Sequence, residues 1–323
     1  MLECFLMKRL RCVFLLFFIL AIAGCYRVPD KIEPQVNFSV QDKYLKQLPP
    51  AFPSLDATEK SEPWGQEYLI AQRFAEHLDL YRAVTTFKRA EFLLPPGKPE
   101  RLEEIQYQIL LSYYLGKRYE QVVQEFVHSA LYTATKTFPA YHDLLIIMYE
   151  SYLEVGDEEK AYYVFRVIEH HYPDTAKRLK LSTALIDGDL DTLRTIERTD
   201  PSKQYIAELL QTYDSKKKSV KKAQTLNALL PGAGYLYVGQ KQSALTAFLL
   251  NGLFIWASVH FYSKGNYAAG AIFTSFEAGW YFGGIYGAGE SAKLYNERLY
   301  EQEAYPILNR QGYFPVLMLR FGF

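Results

Sequence analysis

The spacing of hydrophobic positions divides the 323-residue chain into five regions of different periodicity. Apolar residues that recur every three or four positions predict amphipathic helices, and charge-free runs of about 20 residues predict helices that cross a membrane. The pattern therefore predicts an all-α protein with helical hairpins in the middle of the chain and an apolar helical hairpin near its end. The five regions are 1–24, apolar; 25–65, polar and proline-rich; 66–215, amphipathic; 216–300, basic and then apolar; and 301–323, an apolar tail.

The first region has the charge pattern of a secretory signal peptide. Lys8, Arg9 and Arg11 precede an apolar run that is too short to span a bilayer comfortably. The Ile-Ala-Gly-Cys sequence that ends at Cys25 resembles the lipobox of bacterial lipoproteins. The resemblance implies cleavage before Cys25 and lipidation of this residue, with 25–65 as a lipidated, proline-rich tether. The alternative is an ordinary N-terminal membrane anchor with an incidental cysteine.

The amphipathic region 66–215 contains units with a common pattern, and the best of them, 141–173, resembles a tetratricopeptide repeat. The resemblance implies a short superhelix of helical hairpins whose concave face binds a partner protein or an extended peptide. The alternative is an all-helical spacer with no specific ligand. The residues at the packing positions of this repeat are Ala83, Phe87 and Pro95 in one copy, and Gly156, Ala161, Phe165 and Pro173 in the other.

Two long apolar segments follow the basic run 216–222. The sequence Pro-Gly-Ala-Gly-Tyr-Leu-Tyr-Val-Gly, 231–239, resembles the motif that opens a family of small two-helix bacterial membrane domains. Residues 243–262 form a charge-free stretch of twenty residues, and 266–289 carries Glu277 as its one formal charge. We expect a membrane hairpin with the basic run against anionic lipid headgroups. The alternative is a pair of buried helices that pack on the repeats.

Small and polar residues within the predicted hairpin suggest how its helices meet. A dinucleotide fingerprint at Gly287 would need a preceding strand and a crossover unit, but an apolar segment of membrane length precedes it and only the short tail follows it. Spacing by four instead predicts a seam for close helix packing, formed by Ser275, Gly279, Gly283 and Gly287. Asn251 and Glu277 are the polar exceptions. We expect Glu277 to face the first helix, where it either reaches Asn251 or lines a path for a proton or solute.

Composition argues against several functional classes. The formal net charge is zero, which does not favour nucleic acid as a partner, and all three cysteines lie within the first 25 residues. His170 and His171 are adjacent and therefore point in different directions on a helix. The sequence shows no nucleophile elbow and no zinc-binding His-Glu-x-x-His. We therefore predict no catalytic, cofactor-binding or metal-binding residues, and a protein that is not an enzyme.

The tail 301–323 ends in alternating apolar residues that resemble the terminal strand of outer-membrane barrels. No series of amphipathic strands precedes it, so the tail is expected to dock on the apolar hairpin, with addition to a partner's sheet as the alternative. Together these features predict an envelope lipoprotein that acts as a scaffold or assembly factor. The alternative is a component of a transport or secretion system with the hairpin as part of a pore.

The predicted anchors disagree about the membrane. In lipoproteins, an aspartate directly after the lipidated cysteine favours the inner membrane; here Tyr26 follows Cys25, and the resemblance implies the outer membrane. Spanning helices suit the inner membrane, whereas proteins embedded in the outer membrane are mostly barrels. The sequence leaves this choice, and the oligomeric state, open.

Overall fold

The computed structural model describes residues 28–36, 44 and 47–323. The predicted signal peptide and the lipidation site Cys25 lie outside these described residues. Within them the chain is all-α, as the hydrophobic pattern predicts, with no β-strand and a single isolated bridge between Pro50 and Gly322.

The chain forms two compact units. The repeat unit comprises Val36–Asp189 and Ala304–Phe323, and the hairpin unit comprises Leu190–Glu303 together with the described residues 28–35. The predicted boundary at residue 215 therefore lies 26 residues too late, at 215 rather than 189. The predicted tail falls almost entirely within the repeat unit.

The repeat unit is a series of short helices, each packed against the next along the chain. Prolines begin three of them, at Pro63, Pro99 and Pro173, where the missing backbone N–H has no helical partner to lose. The helices are α1 (Ala57–Ser61), α2 (Pro63–Glu76), α3 (Leu80–Leu93), α4 (Pro99–Leu115), α5 (Tyr119–His128), α6 (Tyr141–Glu154), α7 (Glu158–His171) and α8 (Pro173–Ile186), with 3₁₀ turns at Ala130–Thr133 and Pro315–Met318.

The residues predicted at repeat-packing positions occupy distinct places in these hairpins. Ala83, Phe87 and Ala161 are at most 1% exposed, so the close helix crossings fall on small or fully buried side chains. The half-buried Phe165 lies against Tyr149, with ring centroids 5.7 Å apart. Gly156 has a φ of +78° in the turn between α6 and α7, a conformation that disfavours other residues. Pro95 is exposed in the loop after α3, and Pro173 is the first residue of α8.

The region predicted as an extended tether is partly folded. Leu55 is 4% exposed and Trp64 is 1% exposed, and both belong to the core that α2, α3 and α4 build. Asp56 and Glu59 form a capping box at α1, and Arg101 of α4 pairs with Glu59 at 2.7 Å. The prediction was wrong for 47–65 because proline density was taken as a sign of extension, whereas Pro63 begins a helix.

The hairpin unit combines four short helices with two long ones. Its helices are α9 (Leu190–Thr199), α10 (Gln204–Lys216), α11 (Val220–Leu229), α12 (Ala233–Val238), α13 (Lys241–Ser263) and α14 (Tyr267–Arg310), of which α14 continues past Glu303 into the repeat unit. The described N-terminal residues belong to this unit: Val28 and Ile32 are buried, and the backbone N–H of Glu33 donates to Glu297 Oε1 at 3.0 Å.

The glycines of α14 pack differently from the predicted seam. A Cβ added at Gly279 or Gly283 would meet no atom within 4 Å, so these two glycines face open space. Close contacts lie at other glycines of this helix: Gly284, Gly287 and Gly289 face side chains of α11 and α12, and Gly270 faces Tyr262 of α13. Ser275 donates its hydroxyl to the carbonyl of Ala271 in its own helix, at 2.9 Å. Of the predicted seam, Gly287 is therefore closely packed, but against α12, and Gly279 and Gly283 are not packed.

Gly234 tests this packing directly. A Cβ there would lie 2.8 Å from the Cβ atoms of both Ala288 and Asn227, which are parts of two different helices. We expect Gly234→Ala to lower the free energy of unfolding by about 1–3 kcal/mol, because overpacking displaces one of them. Gly283→Ala is the control. Its new Cβ meets no atom, so the higher helix propensity of alanine should raise the free energy of unfolding by about 0.5–1 kcal/mol. Thermal unfolding of both variants in detergent measures the difference; a larger loss in Gly283→Ala would restore the predicted seam.

Candidate functional site

The C-terminal segment is bound within the repeat unit through a buried carboxylate. Asp143 of α6 is completely buried, and its Oδ2 accepts the backbone N–H groups of Arg320 at 2.8 Å and Phe321 at 2.9 Å. Its Oδ1 lies 2.7 Å from Nδ1 of His142. A buried carboxylate is costly without partners, and here two adjacent backbone donors and an imidazole meet that need.

Further bonds hold the same segment along its length. Arg178 of α8 donates to the carbonyl of Gly312 at 2.8 Å, and Tyr44 donates to the carbonyl of Leu317 at 2.9 Å. Gly322 donates to the carbonyl of Pro49 at 3.0 Å, and Phe323 packs against the core that contains Trp64. The tail thus docks on the repeats, and the expectation that it docks on the apolar hairpin was wrong. Part of the face formed by α6 and α8 is therefore occupied by the chain itself.

A groove with acidic walls lies beside this docked segment. Its walls come from α6, the turn at Gly156, the start of α7, the end of α8 and Pro315. The carboxylates of the acidic groove are Glu150, Glu154, Glu158 and Asp187, and its volume is about 330 Å³. A second, smaller groove shares Glu150 and Glu154 with it and adds Tyr114, Tyr119 and Lys117. Together they form an accessible concave surface in the repeat unit.

Glu150 connects the two grooves and has an unusual protonation state. Burial raises the pKa of its carboxyl to about 7, although a hydrogen bond from the hydroxyl of Tyr114 favours the charged form. Lys117 also acts to lower this pKa, and Glu154 acts to raise it. Glu150 is therefore close to half ionised at neutral pH, and a cation placed next to it would complete its ionisation.

The hairpin unit presents an extensive apolar surface. Side chains of α13 that are at least half exposed include Leu245, Phe248, Leu249, Leu253, Ile255, Trp256 and Val259. Within the part of the chain that the structure describes, α13 is the one helix long and apolar enough to cross a membrane by length and composition. The second predicted crossing, 266–289, lies in the first half of α14 and does not reach that criterion.

The two polar residues of the predicted hairpin do not meet. Asn251 is 3% exposed and donates to the carbonyl of Ala247, one turn earlier in its own helix, at 2.6 Å. Its Oδ1 and the Oε2 of Glu277 are both buried without a hydrogen-bond partner among the described residues. The predicted contact with Glu277 is absent, and the Nδ2 group of Asn251 donates locally to its own helix instead. Glu277 and Asn251 are separate polar sites.

Sequence reasoning missed Asp143 and Glu150, which organise both surfaces of the repeat unit. A signal was present in the apolar run Leu144–Tyr149, since Asp143 and Glu150 are the charged residues on either side of it. Among the described residues, no group of three or more His, Cys, Asp or Glu side chains is arranged to hold a metal ion.

Comparisons with protein-family models, curated proteins and solved structures found no match to this chain. The resemblances to lipoproteins, to tetratricopeptide repeats and to two-helix membrane domains therefore rest on their motifs, and the candidate sites rest on geometry.

The bonds to Asp143 predict a stability effect. In Asp143→Asn, the backbone donors of Arg320 and Phe321 lose a charged acceptor and face at best a neutral amide oxygen, so we expect a loss of about 1–3 kcal/mol in unfolding free energy. Chemical unfolding of the full chain measures it, and hydrogen exchange should show faster exchange at Arg320 and Phe321. Asp174→Asn on α8 is the control, since its side chain is 92% exposed and surface changes stay within about 0.5 kcal/mol. Equal losses in both variants would contradict this role for Asp143.

Replacing the Glu150 carboxyl with a neutral amide should stabilise the protein in a pH-dependent way. Its folded pKa of about 7 lies above its ordinary value, so the folded state holds the proton more tightly than the unfolded state. Stability contributed by the wild-type residue therefore falls as the pH rises through that window, and the full penalty is present above it. We expect Glu150→Gln to raise unfolding free energy by about 1–2 kcal/mol at pH 8 and by little at pH 4.

Thermal unfolding at both pH values measures this difference. The matched control is Glu100→Gln, which removes an exposed carboxylate from the first turn of α4. An equal change in Glu100→Gln, or a stabilisation by Glu150→Gln that does not depend on pH, would contradict the assignment.

Proposed function

We propose that the protein is a membrane-associated scaffold or assembly factor of the bacterial cell envelope. In this function the hairpin unit enters the lipid bilayer through α13, Cys25 carries the lipid, and the repeat unit binds a partner protein. The observation that carries the proposal is the exposed apolar surface of α13. The lipobox resemblance at Cys25 supports the envelope location.

The character of α13 favours lipid as its surroundings. A helix that is apolar on all sides is stable in the interior of a protein or in a bilayer, and most of α13 is not covered by protein. Its 23 residues give a length of about 34 Å, which suits a hydrocarbon core of about 30 Å. Leu249, Leu253 and Trp256 are each more than half exposed, and burial of such a side chain is worth about 1.5–3 kcal/mol.

The basic run contributes less to lipid binding than its sequence suggests. Lys217 pairs with Asp214 at 2.7 Å, and Lys218 lies over the ring of Tyr237 at 5.1 Å. Lys222 lies over the same ring at 5.0 Å. Lys216 and Lys221 are exposed at the end of α10 and the start of α11. Anionic lipids would thus meet these two lysines, each worth about 1 kcal/mol near a charged surface.

A role in transport or secretion is the second candidate. It is favoured by an open groove of about 540 Å³ in the hairpin unit, whose walls include Thr246, Gly279 and Gly283. Small residues on an open face permit the close approach of another helix in a membrane. Such a component would form a homo-oligomer that conducts solute, whereas a scaffold would co-purify with a stoichiometric protein partner.

Tryptophan fluorescence tests the membrane assignment. The chain has three tryptophans, of which Trp256 is 63% exposed on α13 and Trp64 is 1% exposed in the repeat unit. We expect lipids brominated on their acyl chains to quench Trp256 strongly after reconstitution of the full chain, because bromine quenches at contact. Single-tryptophan variants that retain only Trp256 or only Trp64 separate the two signals, with Trp64 as the control. Equal quenching of both, or quenching of neither, would contradict insertion of α13.

A further inference from the structure

The acidic groove of the repeat unit brings together the carboxylates of Glu150, Glu154, Glu158 and Asp187. Glu150 and Glu154 lie four residues apart on α6 and therefore share one face of that helix. Among the described residues, no lysine or arginine forms an ion pair with Glu150, Glu154 or Glu158. Lys117, on the wall of the adjoining groove, is the one basic residue that lines either groove in the described chain.

A buried hydroxyl in the same wall lacks a partner. Ser182 of α8 lines the acidic groove, is 1% exposed, and its Oγ has no hydrogen-bond partner among the described residues. A serine inside a helix usually bonds to the carbonyl one turn earlier or to a neighbouring side chain, and an unsatisfied buried hydroxyl costs about 1–3 kcal/mol. This orphaned acceptor is therefore evidence for a ligand that donates a hydrogen bond, independent of the carboxylates.

Aromatic rings add to the suitability of this surface for a cation. Tyr149 lines the acidic groove, and its hydroxyl is bonded to Thr183 at 3.1 Å. Tyr114 and Tyr119 line the adjoining groove in an edge-to-face pair, with ring centroids 6.2 Å apart. Tyrosine faces attract cations, and carboxylate and hydroxyl oxygens accept the three N–H donors of an ammonium group.

We propose that the acidic groove binds a primary ammonium group, supplied by a lysine side chain of a partner protein or by a free polyamine. The site deepens, and rests on, the proposed scaffold function of the repeat unit. Its volume of about 330 Å³ is at the small end of ligand sites, which suits one extended aliphatic side chain with a charged end. Glu150 and Glu154 supply charge, and Ser182 supplies a neutral acceptor.

Binding should depend on pH in a defined way. The titratable groups facing Glu150 are Tyr114, Lys117, Tyr119, Glu154, Glu158 and Asp187, and burial places the pKa of Glu150 at about 7. The affinity for an ammonium group should therefore rise several-fold between pH 6 and pH 8, and Glu150→Gln should remove that rise.

Fluorescence anisotropy with the full chain in detergent tests the site. The probe is a dye-labelled heptapeptide of alternating lysine and alanine, its negative control is the same peptide with glutamate, and spermidine is titrated as a competitor. We expect binding of the lysine peptide, a 3- to 10-fold loss of affinity in Glu150→Gln and Glu154→Gln at pH 8, and no change in Glu100→Gln. Glu100 lies about 21 Å from Tyr114 along α4, beyond the screening length of about 8–10 Å.

Ser182→Ala gives a readout that a structural role would not produce. Removal of an unsatisfied buried hydroxyl should leave the melting temperature equal or higher, while the affinity for the lysine peptide falls.

Competition by spermidine distinguishes the two sources of the ammonium group. If spermidine competes, a free polyamine also fits the groove. If spermidine does not compete, the site is assigned to a protein segment; both outcomes support ammonium binding. Failure of the lysine peptide to bind to folded protein, or an equal loss in Glu100→Gln, would overturn it. Quenching of Trp256 by brominated lipids in the same preparation would then show that the membrane part of the proposed function stands.

Discussion

The arrangement of the repeat unit depends on one buried carboxylate. Asp143 accepts hydrogen bonds from the backbone N–H groups of Arg320 and Phe321. These two residues follow Asp143 by 177 and 178 positions in the sequence, and the bonds hold them against α6. The segment fixed in this way covers the repeats with Phe314, Val316, Met318 and Leu319, all of which are buried. If the bonds to Asp143 were lost, an unpaired charge and an uncovered apolar face would be exposed together. These two costs act in the same direction, which makes the docked segment part of the fold.

This arrangement also limits what the repeats can bind. The repeat unit includes residues 304–323 of its own tail, and the surface that the docked segment covers is closed to a long extended peptide. The pair of grooves around Glu150 stays open beside that segment. The same segment contributes Pro315 to both grooves. The docked tail therefore helps to form the candidate site, and a ligand there needs to be short or needs to enter through a single side chain.

The positions Ala83, Phe87, Gly156 and Ala161 were assigned through the resemblance to a tetratricopeptide repeat. The hydrophobic pattern itself predicted the helical class, because this class depends on local periodicity. It did not predict that the tail docks on the repeats or that Leu55 belongs to the core, since both depend on contacts between residues distant in sequence. Glu150 was missed for the same reason. Its burial comes from helices on either side of α6, and a lone glutamate on an amphipathic helix has no local signature of such surroundings.

The glycines of α14 show how a correct physical principle can be applied to the wrong partner. Small residues do mark close helix approach, but at Gly284, Gly287 and Gly289 the neighbours are the short α11 and α12. The adjacent Gly279 and Gly283 remain open. The helix α14 thus carries two kinds of glycine. Some contact side chains of other helices in the same unit, and the others have no atom within 4 Å of an added Cβ. Spacing along a sequence cannot distinguish them, because glycines a turn apart satisfy the same periodicity whichever neighbour they face.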